Sequence, residues 1–231
     1  MQKRGCGMDS SGFSIMFQGV SFLRLLKGLW VTIQLALISS GLSIVLGTLL
    51  GFLLKSRHKA VRIICLVYVD IMRILPQLVL LFAAYYGTAS WFGLNLSAWN
   101  AAVIVFTMWG TAEMGDLVRG ALESIPKHQY ESAEALGMTS AQTFRYVILP
   151  QTLRRLAAPS VNLVTRMIKT TSLVEIIGMV EVLKTGQQII DANRIDYPSG
   201  AFWVYGMVFL MYFLICWPIS IAAKRLERKW S

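Results

Sequence analysis

Charge is scarce in this chain. Only 15% of its 231 residues are Asp, Glu, Lys or Arg, while 55% are hydrophobic. An ordinary soluble domain carries about a quarter charged residues, so that class is excluded. Acid is rarer than base, 12 residues against 22, which leaves a net charge of +10. Histidine occurs only at His58 and His128, without metal-ligand spacing or a neighbouring nucleophile. Cys6, Cys65 and Cys216 are isolated, which excludes a CxxC motif and a disulfide framework. No G-x4-G-K-[ST] loop occurs, so the chain is not expected to bind ATP itself. Residues 1–20 lack a compact apolar core with a cleavage site, so no cleavable signal is expected. The first true span is expected to serve as the insertion signal.

What is abundant is long apolar sequence. A membrane span needs about 20 apolar residues. The stretches 28–54 and 201–223 carry no charge, and Lys27, Lys55, Lys224 and Arg225 bound them. Three further stretches are apolar but carry charges: 63–86 (Asp70, Arg73), 99–118 (Glu113, Asp116) and 157–183 (Arg166, Lys169, Glu175, Glu181). The expectation is an all-α integral membrane protein with about five transmembrane helices, the third and fourth lining something polar. Trp30, Trp91, Trp99, Trp203 and Trp217 lie near span ends, as interfacial tryptophans do. Gly47 and Gly51 form a GxxxG, read here as close packing inside the bundle.

Five spans put the termini on opposite sides. With the N-terminus outside, the inner segments 55–62, 119–155 and 224–229 carry thirteen Lys or Arg, and the outer segments carry six. The positive-inside rule therefore places the C-terminus in the cytosol. The expected organisation is an extracytoplasmic segment 1–27, a permease core 28–223 with a cytosolic loop 121–155, and a cytosolic tail 224–231. The basic residues report topology, so nucleic acid falls away as a partner.

Within that loop stands Glu131-Ser132-Ala133-Glu134-Ala135-Leu136-Gly137, then nine residues, then Val147-Ile148-Leu149-Pro150. It reads as a docking device: two short helices that meet at Gly137. Gly137 suits the left-handed residue past a helix end. Thr139-x-x-Gln142 fits a capping box opening the second helix. Pro150 is expected to stop that helix. Ala133, Ala135 and Gly137 leave little side chain, so another protein surface can come close.

This spacing resembles the EAA loop of ATP-binding cassette importer permeases, E-A-A-x3-G-x9-I-x-L-P. Glu131, Ala133, Gly137, Leu149 and Pro150 match; Ser132 and Val147 are small replacements. The resemblance runs on to permeases for polar amino acids. Arg73-Ile74-Leu75-Pro76 sits where they have R-G-T-P, and Gly115-Asp116-Leu117-Val118-Arg119-Gly120 resembles A-E-I-V-R-G. Ser124-Ile125-Pro126-Lys127 resembles S-V-P-K, and Lys169-Thr170-Thr171-Ser172-Leu173 resembles K-x-T-S-L. Glu113 replaces a frequent tyrosine, and Asp116 replaces glutamate.

The resemblance implies a multi-pass permease subunit in the bacterial cytoplasmic (inner) membrane, working as a homodimer or heterodimer. Separate ABC ATPase subunits would handle ATP and Mg, with no cofactor bound by this chain. An extracytoplasmic binding protein would deliver a polar amino acid. Glu131, Ser132, Ala133, Gly137, Leu149 and Pro150 would couple to the ATPase.

Glu113, Asp116, Arg73, Lys169, Thr170 and Thr171 are the expected substrate pathway. Glu113 and Asp116 share a helix face. An acid in mid-membrane costs about 2.5–3.5 kcal/mol, so it needs water or a partner. They either meet a substrate ammonium or form structural pairs, Asp116 with Arg119 and Glu113 with Lys169. Asp70 and Arg73 read as an intrahelical pair. The run Thr170-Thr171-Ser172 reads either as a locally opened helix or as ordinary back-bonding. The competing class is an ion-coupled secondary transporter with Glu113 and Asp116 as proton carriers. A membrane-embedded enzyme lacks any catalytic constellation to support it.

Overall fold

Apolar sequence in lipid must satisfy its own backbone, and helices do this locally. The structure, a computed structural model, describes Ser14, Ile15 and residues 19–230. The expectations on Lys3, Arg4 and Cys6 fall outside the described residues, as does most of the stretch 1–20. Among the described residues the chain forms ten α-helices and no strand: α1 (Ser21–Leu54), α2 (Lys59–Ile74), α3 (Gln77–Phe82), α4 (Thr88–Phe92), α5 (Ala98–Glu123), α6 (Lys127–Ala135), α7 (Ser140–Gln142), α8 (Leu149–Thr170), α9 (Val182–Ala192) and α10 (Gly200–Trp230).

α1, α5 and α10 are each long and apolar enough to cross a membrane. They correspond to the first, third and fifth expected spans. The second expected span is broken. Lys59–Ile74 and Gln77–Phe92 pass the same test together but meet at 102°. The cause sits at the break: Pro76 cannot continue a helix and forces Leu75 out of the α region, to ψ 136°. The fourth expected span, 157–183, is also divided. α8 starts earlier and stops at Thr170, a 3-10 turn covers Thr171–Ile177, and Gly178 reverses the chain at φ 81°. α8 is not apolar enough to pass the test alone, because Arg154, Arg155, Arg166 and Lys169 lie within its 22 residues.

The core forms where α1 crosses α5. A Cβ on Gly47 would stand 2.4 Å from Met114 Cβ, and one on Gly51 would stand 2.4 Å from Val118 Cβ. From the other side, Gly110 faces Ser43 and Gly115 faces Leu50. The GxxxG thus packs inside the bundle, as expected, and brings two backbones together. Around it Leu35, Phe106, Leu163 and Met167 are fully buried in one apolar cluster. α8 lies against α10, α5 and α1, so its polar residues are set among helices.

One buried acid was not singled out by the sequence. Glu181 is fully buried and caps α9 by accepting from the Lys184 N–H at 2.8 Å. Its other oxygen accepts from the hydroxyls of Thr32 and Tyr212, each at 3.2 Å. Three donors from α1, α9 and α10 replace the water this carboxyl loses.

Candidate functional site

Two regions stand out. The first is the polar segment between α5 and α8. α6 ends in a full Schellman closure: the Met138 N–H donates to Ala133 O at 3.1 Å and the Gly137 N–H to Glu134 O at 2.9 Å. This needs a left-handed residue, and Gly137 supplies it at φ 77°. The expected capping box is present, with Thr139 and Gln142 bonding reciprocally around the start of α7.

Two expectations about this segment change. Pro150 does not stop the helix. The chain stays helical from Ser140 to Thr170, passing through a π-helical stretch at Thr143–Ile148. Wider π geometry relieves the clash between a proline ring and the preceding turn. The Gln151 side chain donates to Val147 O at 2.9 Å and to Gln129 Oε1 at 3.1 Å, which ties α6 to α8. Arg155 adds a second tie, to Ser124 O at 2.6 Å. Ala133 likewise does not face outward. It is buried against the chain's own body, while Glu131, Ser132, Ala135, Leu136 and Gly137 are exposed. Leu149 is half-buried and Pro150 exposed. Glu131 carries only a surface pair with Lys127 at 2.9 Å, a contact of small worth. Beside α6 lies an open cleft of about 350 Å³, lined by Tyr130, Glu134, Met138 and Phe144.

The second region is a ladder of alternating charge on α2, α5 and α8, with Lys55 at the end of α1 as its last member. Arg166 meets Glu113 at 2.5 Å, and the same carboxylate meets Arg73 at 3.2 Å. Arg73 continues to Asp116 at 2.5 Å, and Asp116 to Arg119 at 2.5 Å. Arg119 reaches Glu123 at 3.3 Å, and Glu123 reaches Lys55 at 3.5 Å. The Asp116–Arg119 pair is the expected one. The other expectations are corrected. Glu113 pairs with Arg73 and Arg166 in place of Lys169, because those guanidiniums reach it from α2 and α8. Arg73 crosses to α5, so no Asp70–Arg73 pair forms.

With Glu113 occupied, Lys169 is exposed and its ammonium has no ion pair or hydrogen bond among the described residues. It lines a cleft of about 310 Å³ with Trp109, Arg166, Thr170 and Ser172. Arg166 also lies 5.5 Å from the centre of the Trp109 ring, a cation–π contact that sequence reasoning missed. Thr170, Thr171 and Ser172 each donate to a carbonyl one turn back, at 2.9, 2.7 and 2.9 Å. The back-bonding reading holds, and the chain does not open at this run but tightens to a 3-10 turn. Thr171 is fully buried, so it supports this turn and does not line the cleft.

Residues 43–231 match the family of binding-protein-dependent transport system inner membrane components. The chain belongs to this family. It is 32% identical over 200 residues to a probable glutamine ABC transporter permease protein, GlnP, of Bacillus subtilis, covering 87% of this chain and 90% of the relative. It is 31% identical over 206 residues to the glutamine transport system permease protein GlnP of Escherichia coli, covering 89% and 92%. Its fold superposes on a crystal structure of an amino acid ABC transporter with histidines, with a TM-score of 0.83 and 25% identity, covering 90% of this chain and 94% of that one. The permease is thus an inner-membrane transport component with the fold of ABC importer transmembrane subunits.

Proposed function

We propose that this permease is the membrane-spanning subunit of an ATP-driven importer for polar amino acids. Two permease subunits, identical or similar, enclose the pathway. Separate ATPase subunits, which hold ATP and Mg, dock on the α6–Gly137–α7 segment through Glu131, Ser132 and Gly137. Ala133, Leu149 and Pro150 support that segment from behind. An extracytoplasmic binding protein delivers the amino acid. ATP binding and hydrolysis bias the pathway between outward and inward access. α8 is the fourth of five passes, with the N-terminus outside and the C-terminus in the cytosol.

The observation that carries this reading is the docking segment. Its own caps fix its shape, Gln151 ties α6 to α8, and Arg155 ties α8 to Ser124 at the end of α5, just before α6. Yet Leu136 at its tip is 81% exposed, an apolar residue in a polar loop with nothing of its own chain over it. In the pathway, Arg73, Glu113 and Asp116 frame the polar face. Lys169 and Thr170 stand at its cleft, where an unpaired ammonium suits a substrate carboxylate. The ion-coupled alternative needs Glu113 or Asp116 free to load a proton, and arginines hold both.

Gly137→Val tests the coupling. A Cβ there meets nothing of this chain within 4 Å, so the added bulk faces outward and the strain is in the backbone, of order 1–3 kcal/mol. The variant is expected to insert normally, lose ATP-dependent uptake, and lose most co-purification with the ATPase subunits. Wild-type uptake with full ATPase stimulation would remove this segment as the coupling element.

A further inference from the structure

α10 carries one continuous ridge of residues spaced by four: Phe209, Phe213, Trp217, Ile221, Arg225 and Lys229. Its first part is aromatic and stacked. Phe209 and Phe213 lie 6.4 Å apart at 19°, and Phe213 and Trp217 lie 5.8 Å apart at 16°. All three rings are exposed. Its last part is basic, and neither Arg225 nor Lys229 has an ion pair among the described residues. Between the two parts a groove of about 480 Å³ runs from Trp217 past Ile221 to Arg225 and Lys229. Glu227 lies on the far side of the helix, about 200° round from Arg225.

We propose that this ridge binds an anionic phospholipid, with the phosphate on Arg225 and Lys229 and an acyl chain laid along Ile221, Trp217 and Phe213. The dimensions agree. From Arg225 back to Phe213 is twelve residues, about 18 Å of helix, close to the depth of one leaflet in a core about 30 Å thick. The order agrees as well: aromatic rings at acyl-chain depth, Ile221 above them, then cations at headgroup level. A second copy of the chain is a poor occupant. A two-fold contact would set this basic row against itself. An ATPase subunit is equally poor, since it does not reach the depth of Phe213. The proposal goes beyond the transport reading and needs only that α10 spans the membrane.

Native mass spectrometry of the full chain in non-ionic detergent tests it, with soluble short-chain phosphatidylglycerol and phosphatidylcholine of equal chain length. Wild type is expected to hold phosphatidylglycerol about thirty-fold more tightly, the worth of two cations at an anionic headgroup. Arg225→Gln with Lys229→Gln should weaken phosphatidylglycerol about thirty-fold, about 2 kcal/mol, and leave phosphatidylcholine unchanged. Lys224→Gln, about 100° off the ridge, should change phosphatidylglycerol by less than about threefold. Four outcomes would overturn the proposal: a double variant that binds as wild type; Lys224→Gln costing as much as the double variant, which means diffuse charge; full displacement of the lipid by excess inorganic phosphate, which means a free-phosphate site; and a double variant that loses ATPase subunits and keeps lipid, which means a protein contact.

Discussion

Glu113 shows how a single side chain changes meaning once its neighbours are known. In the sequence it is an acid deep in a span with no local partner. In the fold its carboxylate holds two guanidiniums, from helices on either side of α5. It is 12% exposed, while Arg73 and Arg166 are nearly half exposed, so water screens much of the attraction. Glu113→Gln leaves two cations facing one neutral amide. The expected cost is about 1 kcal/mol, a fall of a few degrees in melting temperature for a chain of this size. Uptake should fall further than stability, because Arg166 would turn toward the Lys169 cleft, while ATPase subunits still co-purify. A variant that melts and transports like wild type would show that the ladder does not frame the pathway. Sequence alone placed Glu113 and Asp116 on one face, because helix geometry is local. It could not find Arg166, because the pairing spans 53 positions and depends on how helices pack.

At the scale of the element, the α1–α5 crossing decides whether the bundle closes. Gly41 and Gly47 lie on the same helix with opposite surroundings. A Cβ on Gly41 meets nothing within 4 Å, whereas one on Gly47 would be 2.4 Å from Met114 Cβ and 2.9 Å from Thr111 O. Gly41→Ala is expected to be neutral or to gain up to about 1 kcal/mol from helix propensity. Gly47→Ala should lose about 1–3 kcal/mol by forcing the helices apart. Thermal unfolding of the two variants in one detergent checks the contrast, and equal melting temperatures would contradict the crossing. The GxxxG pattern pointed to this contact, but its partners Gly110 and Gly115 carry no comparable spacing. Helix stops were less legible than helix starts. The capping box at Thr139 and the turn at Gly137 appear where local chemistry puts them. Pro150 does not act as its local rule says, because the π-helical stretch before it makes room for the ring.

For the whole molecule, orientation turns on α8 as the fourth pass. Three spans and the bent pair follow from apolar length alone. α8 is too polar for that test, since its neighbours, not lipid, surround much of it. Cysteine labelling decides the matter in a background with Cys6, Cys65 and Cys216 replaced by serine. Cysteine at Arg57 should react only from the cytosolic side, and cysteine at Asn193 only with an impermeant reagent outside. If both react from the cytosol, α8 does not cross and the thirteen-to-six charge asymmetry must be reassigned. The class was legible because hydropathy and helix formation are coupled in lipid. The bend at Pro76 and the division at Gly178 were not, because a broken helix and a straight one have nearly the same composition.

The unbroken helix through Pro150 also has a mechanical consequence. From Ser140 to Thr170 is about 45 Å of helix, clamped near its middle, where Gln151 bonds to Gln129 and Arg155 to Ser124, and its far arm of about 25 Å ends at the Lys169 cleft. A lever of that length amplifies rotation. A tilt of about 6° at the clamp displaces the Thr170 tip by about 2.5 Å, roughly half a helical turn. A break at Pro150 would have absorbed that stroke; the helix is continuous there and passes it on, and the one internal proline between clamp and tip is Pro159.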